Sequence, residues 1–377
     1  MNKKLTTNIL IIGNPRFTPS STAFLTKFLN IFVNLTTRIS YIGGDIPIRS
    51  NKITWIETSF KEDTNNFLYK FLNYLFFDIK LIALSFKQMV NFDYDLIFFL
   101  APYPITMLLL RILSKIKVIR YQGGTYYHKS FSNRTSIINL IAILYSEIIP
   151  SLMVNYIIVE SNSSIVFQKL EFFKNKIIIG HMYVDDKFFY VKKEFKDRDL
   201  CVGYVGSLSI NKGIIEFIKA IPIINKQLDL IDKFIIIGDG PLYAYILNYL
   251  HIHKIDKKVV LTGWINHNVL GNFLNKITLI VLPFHSEGLP NIILESMACG
   301  TPVLTTKIGA IPDVINENIN GFYLSSYDEK QISKKVLELI TDHDLNEVSE
   351  NSVKTIEKNF SFLNTLYKWK FIIDHIK

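Results

Sequence analysis

From Asn8 onward, short runs of β-branched and aliphatic residues alternate with longer stretches of helical periodicity, and no other feature constrains the fold as much. Strands are expected near Ile9–Ile12, Ile39–Ile42, Asp95–Leu100, Val118–Tyr121, Ile157–Val159 and Ile177–Ile179. Helices are expected near Thr22–Leu35, Asn66–Val90 and Ile105–Leu113. This is the rhythm of a parallel sheet with crossover helices. It pauses at the charged run Lys192–Asp199 (KKEFKDRD), read as a linker, and restarts with strands at Cys201–Val205, Phe234–Ile237, Val259–Thr262, Leu279–Leu282 and Val303–Thr305. The chain of 377 residues is too long for one typical core. An α/β protein of two Rossmann-like domains facing a central cleft is expected: residues 1–192 and 193–360, with a C-terminal helix in 361–377 that carries Trp369 and packs back on the first domain.

Nearly half of the residues are apolar, which excludes a disordered chain. Residues 1–195 hold 23 Lys+Arg against 13 Asp+Glu, whereas the remainder holds 19 against 20, so the net +9 belongs to the N-terminal half. That half is also rich in Phe, Tyr, Leu and Ile, a mixture better suited to an anionic membrane surface than to nucleic acid. A solvated basic face over a large core is the plainer alternative. Cys201 and Cys299 stand far apart without metal-ligand spacing, which points to buried thiols, a reducing cytoplasmic compartment and no disulfide or metal site. The apolar run before Gly13 is too short for a signal-peptide core. The apolar stretches Leu96–Ser114 and Ile137–Val159 are interrupted by Pro102, Pro104 and Arg111, and by Glu147 and Pro150, so buried or interfacial helices are expected rather than spans.

Chemistry concentrates in Glu287–Gly300, EGLPNIILESMACG. Pro290 is favoured just inside a helix start and Gly300 supplies a stop, so Glu287 falls in the loop and Glu295 more than a turn into the helix. Unpaired N–H groups and the positive dipole end at such a start suit a phosphate, with two carboxylates nearby to accept from sugar hydroxyls.

Four other loops follow strands. GSLSINKG (Gly206–Gly213) offers Lys212 to an anion and is not a Walker loop; a surface lysine in a turn is the alternative. Gly238–Pro241 (GDGP) is a sharp turn at a strand end. Gly263-Trp264 sets a large ring where it could lie beside a nucleobase, although an aromatic in the core is the commoner case. Gly309–Asp313 (GAIPD) could bring N–H groups or a carboxylate to the same mouth. Strand ends followed by glycines and helix starts are where open α/β sheets bind ligands.

In this order and at these separations, GSLSINKG, IIIGDGP, LTGW, EGLPNIILESMACGTPV and IGAIPDVI resemble the donor domain of family 4 glycosyltransferases, retaining enzymes of the GT-B fold, with Glu287 and Glu295 matching the Glu-x7-Glu signature. The match covers residues 200–325; the N-terminal half agrees only in rhythm. The resemblance implies a nucleoside-diphosphate sugar as co-substrate, retention at the anomeric carbon, and no cofactor or obligatory metal. It implies Lys212 on the diphosphate, Glu287 on the donor sugar and Glu295 on the ribose. Gly288, Leu289, Pro290 and Asn291 would turn toward sugar and phosphate, with Gly263 and Trp264 flanking the base and Gly206, Ser207 and Gly238 lining the cradle. Four positions depart from the pattern. Ser207 stands where an arginine is usual, which leaves Arg16, Arg120 or another residue as a substitute cation. Ser20-Ser21 stand where a Gly-Gly turn is usual, MYVD keeps only Val184 and Asp185 of Asn-Gly-Val-Asp, and Asp313 replaces a glutamate.

On the acceptor side, YQGGTYYHKS offers His128, implied near the reacting sugar or else an ordinary loop histidine. The segment Asn66–Val90, with Lys70, Lys80 and Lys87, is either a membrane-docking helix or a core helix with solvated lysines. The expected function is transfer of a hexose-like unit to a glycan or lipid-linked saccharide at the inner face of the cell membrane. An epimerase or phosphorylase of the same fold, a glycosidase, and a non-catalytic sugar-nucleotide-binding partner are the alternatives.

Overall fold

The central strands carry near-continuous apolar runs rather than period-two alternation, and such runs are buried on both faces when helices cover a parallel sheet. In the computed structural model, which describes residues 7–14, 19–58, 67–123, 143–227 and 231–377, this is the case: LIFF, CVGYV and LIVL are buried at every position. The chain forms two units, Met1–Met182 with Thr365–Lys377, and Tyr183–Asn364.

The first unit runs β1 (Asn8–Ile12), α1 (Pro19–Leu35), β2 (Arg38–Gly43), β3 (Ile53–Glu57), α2 (Phe67–Asn91), β4 (Leu96–Phe99), α3 (Pro104–Leu113) and β5 (Lys117–Gln122). A π-helical turn at Leu144–Ile148 then leads into α4 (Ile149–Met153), β6 (Tyr156–Val159), α5 (Asn162–Phe167) and β7 (Ile177–Ile179). Its strands are parallel in the order β3-β2-β1-β4-β5-β6-β7. Two buried acids tie the helices together. The carboxylate of Asp78 on α2 accepts the N–H groups of Ile105 (3.0 Å) and Thr106 (2.9 Å), so it caps α3 from a neighbouring helix. Burial raises the Asp78 pKa, against the pull of these hydrogen bonds. Glu147, in the π-helical turn, accepts from Arg120 (2.9 Å) and Gln122 (2.7 Å) of β5.

The second unit runs β8 (Cys201–Val205), α6 (Ile214–Gln227), β9 (Lys233–Ile237), α7 (Tyr243–Ile252), β10 (Val259–Leu261) and α8 (His267–Leu274). It continues with β11 (Leu279–Leu282), α9 (Asn291–Ala298), β12 (Val303–Thr306), β13 (Phe322–Leu324), α10 (Glu329–Asp342) and α11 (Leu345–Phe360). The strands are parallel in the order β10-β9-β8-β11-β12-β13. The last helix, α12 (Phe362–Ile376), contributes Trp369 to the first unit, where its fully buried ring meets those of Phe28 (5.7 Å) and Phe32 (5.3 Å).

The unit boundaries differ from those expected. The first change falls between Met182 and Tyr183 rather than at 192/193, and the return falls between Asn364 and Thr365 rather than at 360/361. The charged run Lys192–Asp199 is not a linker between the units: it lies within the second unit and, although most of its side chains are exposed, it is tied to that unit's interior. Its Lys192 and Lys193 N–H groups donate to Asn275 (2.7 and 3.2 Å), and the buried Arg198 donates to Ile277 O (3.1 Å), Thr301 Oγ1 (3.0 Å) and Cys299 O (2.6 Å). Charge density in a sequence does not distinguish a solvated stretch from one whose guanidinium satisfies buried carbonyls. Cys201 and Cys299 are free and buried, and desolvation pushes both thiols up to about 12. Among the described residues, no helix is long and apolar enough to cross a membrane.

Candidate active site

In the second sheet the strand order reverses direction between β8 and β11, and the loops leaving those two strands flank the crevice where open α/β sheets take ligands. Lys212 stands in the loop after β8 and Glu287 in the loop after β11. Their ammonium and carboxylate groups are paired across this switch point, with side chains only 29% and 21% exposed. The Lys212 ammonium also lies 5.4 Å from the ring centroid of Phe284, which adds a cation–π contact.

The β8 loop is held from below. Tyr204 in β8 is buried, and its hydroxyl lies 3.2 Å from both the Ser207 and Lys212 carbonyls, spanning the loop. Burial and the neighbouring Glu216 raise its pKa, so the hydroxyl keeps its proton and donates. A 3₁₀ turn, Ile210–Lys212, ends at Gly213 with φ +69°, where a Cβ would collide with the Pro283 carbonyl. Gly238, at φ +143°, likewise packs without a Cβ against the Gly206 carbonyl. These glycines therefore permit close approach of loop to loop.

Backbone bonds link all five loops. Leu208 N–H donates to Asp239 O (3.0 Å), Gly238 N–H to Gly263 O (3.0 Å), His285 N–H to Asn211 O (3.1 Å) and Ala310 N–H to Gly288 O (2.9 Å). The loops after β8, β9, β10, β11 and β12 thus form one hydrogen-bonded rim. In GAIPD, Ala310 N–H goes to Gly288 O, and Ile311 and Asp313 N–H go to Ile308 and Ala310 (both 3.1 Å), so these three N–H groups are spent on the rim and its turn.

Helix α9 starts one residue later than expected. Pro290 is its N-cap, with extended ψ of 126°, and Asn291, exposed, is the first helical residue. Gly288 and Leu289 lie in the loop between Glu287 and the helix, half-buried, and the first-turn N–H groups of α9 face back into that loop. Glu295 sits in the second turn, 3% exposed, with Oε1 2.9 Å from Nε2 of His267. His267 opens α8 behind the Asn266 N-cap, and its ring lies 4.9 Å from that of Phe189. Sequence reasoning missed this partner; the available signal was the capping asparagine that follows LTGW.

Trp264 is 66% exposed and so is not a core aromatic; it stands on the rim beside Gly263. Ser207 is exposed, at the place where the resemblance expects an arginine. Arg120, the other candidate for that cation, is buried in the first unit and donates to Glu147, Ser151 and Ser146. Arg16 and His128 lie outside the described residues.

Residues 185–356 match the family described as glycosyl transferases, group 1. A capsular polysaccharide biosynthesis glycosyltransferase of Staphylococcus aureus, CapM, is 31% identical over 207 residues, 53% of this chain and 50% of that protein. The N-acetyl-alpha-D-glucosaminyl L-malate synthase of Bacillus anthracis is 23% identical over 339 residues, 85% of each chain. The chain spans about half the length of the first curated relatives it matches. Among solved structures, the sucrose-phosphate synthase of Thermosynechococcus elongatus superposes with a TM-score of 0.76 at 14% identity, covering 98% of this chain and 99% of that one, which establishes the two-sheet GT-B fold. Residues 185–356, which hold the switch-point pair and the rim of loops, are thus similar to the group 1 glycosyltransferases, on a chain of the GT-B fold.

Proposed function

We propose that the chain transfers a sugar, with retention of configuration, from a nucleoside-diphosphate sugar to a glycan or lipid-linked saccharide met at the inner face of the cell membrane. The observation that carries this reading is the Lys212–Glu287 pair across the switch point, beside the start of α9. As the glycosidic bond breaks, the departing diphosphate gains charge, and an ammonium with helix-terminal N–H groups stabilises it without needing a divalent ion. Lys212 is assigned to the diphosphate, Glu287 to hydroxyls of the donor sugar, Glu295 to the ribose and Trp264 to a face of the base. The leaving phosphate takes the acceptor's proton on the same face, through an oxocarbenium-like state. The first unit is assigned the acceptor, with His128 beside the reacting sugar. The basic N-terminal half and the likeness to the capsular polysaccharide enzyme of Staphylococcus aureus support a surface glycan as product.

A panel of nucleoside-diphosphate sugars tested by thermal shift identifies the donor, since a ligand of the folded state raises apparent stability. Turnover of that donor is then measured with and without saccharide acceptors, and with a chelator present. Acceptor-dependent turnover that survives chelation is expected. Acceptor-independent conversion to another nucleotide sugar would mean an epimerase instead, and binding without turnover would mean a non-catalytic partner.

A further inference from the structure

Three helices on one side of the first sheet bury their inner faces in a common core and leave their outer faces apolar. Phe77 and Leu81 of α2, Met107 and Leu110 of α3, and Val154 just after α4 all belong to that core. Asp78 caps α3 from α2, and Arg111 of α3 donates to Leu152 O (2.9 Å), so the run ending in α4 lies along the other flank of α3. The outer faces carry Phe76 (67% exposed) and Ile79 on α2, Leu108 and Ile112 (64%) on α3, and Ile148 and Leu152 on the third helical run. Each pair is spaced by three or four residues, which puts it on one helical face.

Among the described residues of these three elements, exposed charge has one sign. Lys80 and Lys87 are exposed on the same face of α2 as Phe76 and Ile79, and Arg111 flanks Ile112. The carboxylates of these elements are Asp78 and Glu147, and both are buried and hydrogen-bonded inward. The elements α2, α3 and Leu144–Met153 therefore present apolar side chains and cations with no exposed anion. An aqueous protein surface normally mixes both signs and avoids contiguous apolar patches. Apolar side chains beside lysines match the acyl–headgroup boundary of an anionic bilayer, where the side chains enter and the ammonium groups stay at phosphate level.

We propose that this three-helix face docks the chain on an anionic lipid bilayer, lying in its surface without crossing it. The inference rests on the reading that the acceptor is met at a membrane, and it names the surface that does the meeting.

Flotation of the full chain with vesicles of phosphatidylglycerol and phosphatidylcholine, and with phosphatidylcholine alone, tests the proposal. Wild type is expected to float with the mixed vesicles and at least about tenfold less with the neutral ones. Phe76→Ser with Ile112→Ser should weaken binding to the mixed vesicles by about tenfold or more. Lys80→Glu with Lys87→Glu should abolish the preference for the anionic lipid and its sensitivity to salt. Thermal shift by the donor sugar nucleotide is expected to stay unchanged in both variants, which shows that they fold. Failure of wild type to float, or equal flotation of all variants, would overturn the face. So would a wild-type dimer that Phe76→Ser with Ile112→Ser dissolves, which would assign the face to a second copy. Absence of any donor shift in wild type would instead remove the function reading and leave the docking result standing.

Discussion

Replacing Lys212 by Met keeps most of the stem and removes the ammonium, and two measurable consequences should then separate. In the resting protein the ammonium is paired with Glu287, both side chains being largely buried. Two unit charges about 4 Å apart attract by about 4 kcal/mol at an effective dielectric of about 20, and the desolvation of both ions offsets most of it. Removing one partner leaves the other charge half-buried and alone, so Lys212→Met should destabilise the second unit by about 1–3 kcal/mol. For a unit of about 150–250 residues this lowers the calorimetric midpoint by about 2–4 °C per kcal/mol. Adding Glu287→Gln removes the stranded charge and should return about 1 kcal/mol or more, a clear departure from additivity. Turnover should behave differently. Losing one donor to the developing charge costs about 100- to 1000-fold in kcat/KM for the sugar nucleotide, and Glu287→Gln restores none of it, because the diphosphate still lacks its cation. Calorimetry and steady-state kinetics on the two single variants and the double variant check both halves. Turnover of Lys212→Met within threefold of wild type would refute the role on the diphosphate. Recovery of turnover in the double variant would show instead that Lys212 acts only by neutralising Glu287.

Gly213→Ala should cost about 2 kcal/mol or more and weaken donor binding, since φ is +69° and a Cβ would strike the Pro283 carbonyl; Gly213→Asn, which tolerates the left-handed region, should do no better if the collision dominates, as thermal melts will show. Stability of the first unit should fall as pH drops from about 6.5 toward 4: burial and the Lys368 ammonium 2.9 Å away depress His181 to about 4, so a neutral imidazole is required in the fold, and the contribution present above 6.5 is lost as the ring is forced to take a proton. A shift of this size corresponds to about 3 kcal/mol at most, and melts between pH 7 and 4.5 of wild type and His181→Gln should converge at the acid end.

Much of the fold was legible because both sheets are parallel. Strands buried on both faces must be apolar throughout, so β1, β4, β8, β11 and β12 stand out against helical segments of a different period. Strands β3 and β13 escaped notice for the same reason: each lies at a sheet edge, β3 is mostly half-exposed, and β13 is three residues long. The boundary between the units is not legible in the charged run, because Arg198 uses its donors inside the second unit and nothing in the sequence marks that. In the site, the loop glycines and the two glutamates were visible from spacing. The hydrogen-bond partners were not, since His267 and Tyr204 meet Glu295 and the Lys212 loop only after the sheet has brought distant segments together.

The rim of loops gives a physical reason for the tolerance of Ser207. In the resemblance an arginine at that position would supply a second cation, and a chain lacking it must place its remaining cation well. Lys212 is placed by covalent and non-covalent constraints that do not involve residue 207's side chain: the Tyr204 hydroxyl beneath, the left-handed Gly213 after it, and Glu287 against its ammonium. Preorganised charge does more for a developing anion than the same charge on a mobile stem, because no reorganisation is required as the bond breaks. Restoring Arg at position 207 would therefore add a long, solvent-exposed cation to a site already organised around one lysine, and the gain in kcat/KM should be well below the loss caused by removing Lys212.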